Sequence, residues 1–155
     1  MAFKKIMLAG GDKPRIAEYP ANTTTIYPGC ILTMNASNEV VIHATAGGMI
    51  VPLMVALENS IVGKSVADAY GTGDRVQVWF PQRGDLALLR ILNGETVAIA
   101  DLLESGASGL CRKRVADTSA GTIALNSIVG QAEVACDMSG SNLVDPSPLT
   151  PIRIA

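Results

Sequence analysis

Aromatic side chains are scarce in this chain, at 4% of 155 residues, with one Trp, three Tyr and two Phe. So few rings leave little to stack on sugars or bases, which weighs against a carbohydrate or single-strand nucleic-acid reading. Histidine is nearly missing: His43 is the only one. Any serine or cysteine triad must use that ring, and His43 merely continues the apolar run Val40-Val41-Ile42. That is the setting of a strand residue with a satisfied ring nitrogen, not of a catalytic base. Cys30, Cys111 and Cys136 make an odd count without CxxC spacing, which points to buried thiols in a reducing compartment rather than a disulfide framework. Their wide separation from one another and from His43 carries no metal-ligand signature either. The net charge of −2 provides no basic field for nucleic acid or an anionic membrane. The one basic cluster, Arg112-Lys113-Arg114, reads as a strand edge whose charges deter edge-to-edge pairing.

Long apolar runs are also missing. Gly, Pro or a charge punctuates each one, so no membrane span is expected. The N-terminal run Ile6 to Ala9 is too short for a signal segment. Two motif fragments fail on one residue each. Gly63-Lys64-Ser65 resembles the end of a phosphate loop, but Glu58 stands where that loop needs glycine, and its charge would repel phosphate. Gly106-Ala107-Ser108-Gly109-Leu110 has leucine where a nucleophile elbow needs glycine. Asp68, Asp74, Asp85 and Asp101 lie at turn positions, where aspartate bonds its own backbone.

What remains is a strand pattern. In Arg75-Val76-Gln77-Val78-Trp79-Phe80 the valines and Phe80 share one face, while Arg75, Gln77 and Trp79 share the other. That period of two marks a half-buried strand. Pro81-Gln82-Arg83-Gly84 interrupts it, Asp85 to Leu92 follows, and the pair reads as a hairpin spine closed by Asn93-Gly94. Further strands are expected at Cys30–Met34, Glu39–His43, Thr96–Ala100, Leu110–Val115 and Ile128–Cys136. Pro52 inside Met49 to Leu57 predicts an edge or bulged strand there. Ser65 caps a possible single helical turn, and Asp101–Glu104 reads as strand or short helix.

Many short strands with frequent turns predict a mainly β fold, a compact β-barrel or β-sandwich. The division expected is an extended N-terminal arm over residues 1–27, where Pro14, Pro20 and Thr23-Thr24-Thr25 disfavour helix; a barrel or sandwich domain over 28–138; and a Pro-rich C-terminal segment over 139–155. Pro146, Pro148 and Pro151 exclude helix in that last segment, and Ile152-Arg153-Ile154 reads as a final strand or a peripheral arm. Trp79 and Arg83 are of the residue types that anchor interfaces, although a second packing layer explains Trp79 equally well.

A family resemblance runs through Tyr27-Pro28-Gly29-Cys30-Ile31-Leu32, Val40-Val41-Ile42-His43-Ala44, Pro52 to Glu58, Gly63 to Tyr70 and Gly73-Asp74-Arg75-Val76. It continues through Gly84, Leu102-Leu103-Glu104-Ser105-Gly106 and Gly130-Gln131-Ala132-Glu133. These stretches resemble the capsid decoration, or cement, proteins of tailed bacteriophages. Sequences of that kind have Gly or Asp where this chain has Ala100 and Ala107. The resemblance implies a virion protein, made in the host cytoplasm and bound outside the head. It would bridge major capsid protein subunits, stabilise the expanded shell and form a homo-oligomer, trimer favoured. It implies no catalysis, cofactor, metal, direct nucleic-acid contact or membrane, with Trp79, Phe80 and Arg83 near a capsid or subunit contact. The alternatives are another structural β-barrel virion component of tail or baseplate, and a small hydrolase-type enzyme using His43 with a cysteine.

Overall fold

Short strands fill the chain wherever β-branched and apolar residues alternate. The structure is a computed structural model and describes residues 5–10, 13–23, 25–115, 128–140 and 147–155. Thr24 and Pro146, named above, lie outside the described residues. In chain order the strands are β1 (Met7–Ala9), β2 (Arg15–Pro20), β3 (Ile31–Met34), β4 (Val40–Ile42), β5 (Met54–Ala56), β6 (Arg75–Phe80) and β7 (Leu86–Arg90). Then come β8 (Thr96–Val97), β9 (Leu102–Ser105), β10 (Cys111–Lys113), β11 (Ile128–Ala132), β12 (Cys136–Asp137) and β13 (Leu149–Ile154). They form a six-stranded sheet ordered β1-β7-β13-β11-β9-β10, a five-stranded sheet ordered β2-β6-β5-β3-β4, and a ribbon of β12 with β8.

The two large sheets pack as a sandwich. Ile31, Val55 and Trp79 of the five-stranded sheet meet Ala87, Leu89, Leu103, Val129 and Ile152 of the six-stranded one. A second cluster fills the other face of the five-stranded sheet, where Leu32, Met54, Val76 and Val78 pack with Ala21, Ile26 and Tyr70. That sheet curls around the cluster: Ala21, just past β2 at one edge, bridges Val40 of β4 at the other. No closed barrel results among the described residues, so of the two expected architectures the sandwich is the one formed.

β6 shows how alternation is used. Val76 and Val78 enter the second cluster, while Trp79 points the opposite way into the inter-sheet core, without exposed surface. The face holding Arg75 and Gln77 is therefore not a solvent face at its Trp79 end. β6 and β7 do not form the hairpin expected of them. β6 pairs with β2 and β5, β7 with β1 and β13, and the turn between them crosses from one sheet to the other. Asp85 holds that turn, its Oδ2 accepting from Gln82 N at 2.8 Å.

Other departures have local causes. β5 is an interior strand rather than an edge, because Pro52 stops short of it and removes no ladder donor. Asp101–Glu104 yields strand, with β9 paired to both β10 and β11. β8 ends at Val97, since Asp101 Oδ2 captures Ala98 N at 2.8 Å and folds the chain into a turn. At Ser65 there is a turn instead of a helical one, closed on Asp68, and the short 3₁₀ turn lies earlier, at Ser60–Val62. Within the segments read as arms, β2 pairs along its whole length with β6, and β13 lies between β7 and β11. Pro151 is tolerated in that interior strand because its carbonyl, on the side its missing N–H would face, meets Glu133, one residue past the end of β11.

Three backbone positions stand out. Gly130 lies so close to β13 that a Cβ there would sit 2.3 Å from Arg153 O. Ala100 and Ala107 take φ values of 70° and 71°, the left-handed region that favours Gly, Asn and Asp.

Candidate contact surface

Trp79, Phe80 and Arg83 are near neighbours in sequence, yet they go to three environments. Trp79 lies fully buried between the sheets, opposite Ile16 on β2 and Val55 on β5. Its Nε1 has no hydrogen-bond partner among the described residues. The packing-layer role describes its position. Phe80 is half-buried and pairs in register with Arg15, whose guanidinium carbon stands 5.8 Å from the ring centre. Arg83 is exposed in the crossover turn and borders a depression with Leu102, Gln131 and Arg153, none of which lines the groove beside Phe80.

Phe80 borders a groove of ≈ 240 Å³ with Met34, Met49, Val51 and Pro52, to which Thr33 and His43 add polar lining. Met49 is 69% and Val51 80% exposed, which is unusual for large apolar side chains lying side by side. Flexible thioethers suit such a surface, because methionine adapts its shape to a partner. Arg15 adds a cation at the Phe80 end. The sequence pointed to Phe80 but missed Met34, Met49 and Val51, since an apolar run reads as buried strand. The available signal was the bracket of Gly47-Gly48 and Pro52, which keeps residues 49–51 out of the ladder.

The residues screened for catalysis have structural partners. His43 is buried, and its Nδ1 lies 2.8 Å from Ser105 Oγ, tying the end of β4 to β9 in the opposite sheet. Cys30 and Cys111 are buried thiols. Burial pushes the Cys30 pKa up to about 11 and that of Cys111 higher still. Among the described residues, no group of three or more His, Cys, Asp or Glu is placed to hold a metal. No described helix is long and apolar enough to cross a membrane. The basic cluster lies on and just after β10, an edge strand. Arg112 Nε and Nη2 chelate Oε1 of the fully buried Glu104 at 2.8 and 2.7 Å, and Lys113 Nζ pairs with Asp101 at 3.0 Å.

No family model matches the chain, and no curated protein does. Among solved structures it is similar to the N base of the head fiber gp8.5 of bacteriophage phi29. The TM-score is 0.56 at 12% sequence identity, and the match covers 92% of this chain and 95% of that one. At that identity the likeness is one of fold, and it extends over nearly the whole of both chains.

Proposed function

We propose that this chain is a structural protein of a tailed-phage head, seated on the outside of the shell, where it works by contact and transforms nothing. The observation that carries the reading is the nearly end-to-end likeness to the base of a head fiber. The exposed groove of Met34, Met49, Val51 and Phe80 supports it, since a protein that works by docking needs an adaptable apolar surface. In this reading the chain bridges subunits of the major capsid protein and acts as a homo-oligomer, with a trimer favoured. Linking several modest contacts raises the effective concentration for each next one, so the assembly holds more tightly than any single contact. Contacts available only on the expanded shell stabilise that state by mass action. Phe80 and Arg83 serve as contact residues, while Trp79 packs in the inter-sheet core on the opposite face of β6 from Phe80.

The test is co-sedimentation. Expanded heads that lack this protein, from the phage encoding it, are mixed with the purified chain and pelleted. Saturable recovery in the pellet is expected, and a chain left wholly in the supernatant would remove the reading. Met49→Asp with Val51→Asp should fold normally, given their exposure, and should pellet poorly. Unchanged pelleting would move the contact to the Arg83 face.

A further inference from the structure

A row of side chains crosses the outer face of the six-stranded sheet. Leu86 on β7 stands opposite Arg153 on β13, Arg153 opposite Gln131 on β11, and Gln131 opposite Leu102 on β9. Arg114, one residue past β10, donates its N–H to Leu102 O at 2.8 Å and extends the row. The adjoining residues Ala87, Ile152, Ala132 and Leu103 enter the inter-sheet core, so strand alternation turns this row outwards. Neighbouring strands lie about 4.8 Å apart, which makes the row about 19 Å long. Leu86 is half-buried, and the other four residues are exposed.

Exposed apolar surface here lies between cations. Leu102, 41% exposed, borders two depressions: Lys113 and Arg114 line one, Arg83 and Arg153 the other. Ile128 is 38% exposed on the same face, opposite Glu104. Two carboxylates of this region are already engaged. Glu133 Oε1 accepts from Arg153 Nε at 2.5 Å, and Asp101 Oδ2 pairs with Lys113 Nζ at 3.0 Å. Arg83 and Arg114 are exposed, and neither side chain has a hydrogen bond or ion pair among the described residues. Arginine beside exposed leucine is the composition of a contact surface, because the guanidinium is weakly hydrated and grips a carboxylate with two parallel bonds.

We propose that this face binds an acidic segment of a partner protein, with carboxylates on Arg83 and Arg114 and an apolar side chain on Leu102 between them. Charge complementarity sets the sign, since two arginines are left over once Asp101 and Glu133 have been paired. The same two acids set the class of partner. They interrupt the cations and would repel an unbroken polyanion such as nucleic acid, whereas a segment that mixes carboxylates with apolar residues fits around them. An extended chain rises about 3.3 Å per residue, so about six residues cover the row. The proposal rests on the virion reading, in that it names the chemistry taken by the Arg83 contact.

Amide NMR spectra of the ¹⁵N-labelled full chain test this with three probes at low salt: the peptide EELVEE, its neutral analogue QQLVQQ and a short DNA duplex. The acidic peptide should shift amides of Leu102, Arg114, Gln131 and Arg153, with a dissociation constant on the order of millimolar. Added salt should weaken that binding. Arg83→Gln combined with Arg114→Gln should weaken it about fivefold, as the loss of two exposed ion pairs does. Arg75→Gln, at an exposed arginine of β6 in the other sheet, should leave it unchanged. Unchanged peaks away from the row certify folding, and either single substitution, expected to weaken binding about twofold, serves if the pair misfolds. No shift with the acidic peptide, equal binding of its neutral analogue, tighter binding of the duplex on this face, or full affinity in a folded variant overturns the proposal. Heads do not enter this readout, so the acidic-segment site can fail while co-sedimentation succeeds, and the reverse.

Discussion

Replacing Trp79 separates a core role from a contact role. The indole is fully buried between the sheets, so Trp79→Ala should cost about 3–5 kcal/mol. For a chain of this length 1 kcal/mol moves Tm by roughly 2–4 °C, so the variant should melt roughly 6–20 °C lower. Trp79→Phe is the sharper case. It loses some packing, but it also deletes an N–H that has no partner among the described residues. A buried unsatisfied donor costs about 1–3 kcal/mol, which offsets the smaller ring. The net change should therefore lie within about 1 kcal/mol, combining that offset with the packing loss. Urea unfolding followed by far-UV circular dichroism suits both variants, because Trp79 is the only tryptophan and fluorescence disappears with it. In the unaltered protein its emission should be blue-shifted and resist acrylamide quenching. Equal losses for the phenylalanine and alanine variants would show that the N–H is satisfied after all. A freely quenched, red-shifted tryptophan would refute the buried placement itself.

Ala107→Gly should raise stability by about 1 kcal/mol in urea unfolding, since φ 71° strains any residue with a Cβ; a lowered midpoint would refute the left-handed backbone there. Arg112→Met strips the guanidinium from the buried Glu104 and should cost about 3 kcal/mol. Lys113→Met, at a side chain 53% exposed, should cost under about 1 kcal/mol, and equal losses for the two would contradict the difference in burial. On the alkaline side, burial raises the pKa of Cys30 from 9.0 to about 11 and that of Tyr70 from 10.0 to about 12. The stability these groups contribute is whole below about pH 9 and falls as pH climbs through about 11 and 12, so the urea midpoint should drop across that window; a flat midpoint would refute it.

The strands were legible because burial imposes a period of two on neighbouring side chains. Val76 and Val78 declared their face correctly, and the Cys30–Met34 and Glu39–His43 runs contain the strands expected there, β3 and β4. Pairing was less legible. Nothing in Pro81-Gln82-Arg83-Gly84 tells a hairpin from a crossover, because the choice depends on which sheet has room for β7. Trp79 misled for a related reason: a strand buried on both faces shows its polar residues only towards one end. The groove escaped notice because hydrophobicity alone does not say whether a side chain packs inward or waits for a partner.

The position of β13 also bears on how the protein is made. Of the described strands it leaves the ribosome last, yet it lies between β7 and β11. Until it arrives, the larger sheet exists as two unjoined halves with raw edges towards each other. Nascent chains should therefore depend on shielding from one another until synthesis has passed Ile154, and crowded translation would favour strand exchange between neighbours at that gap.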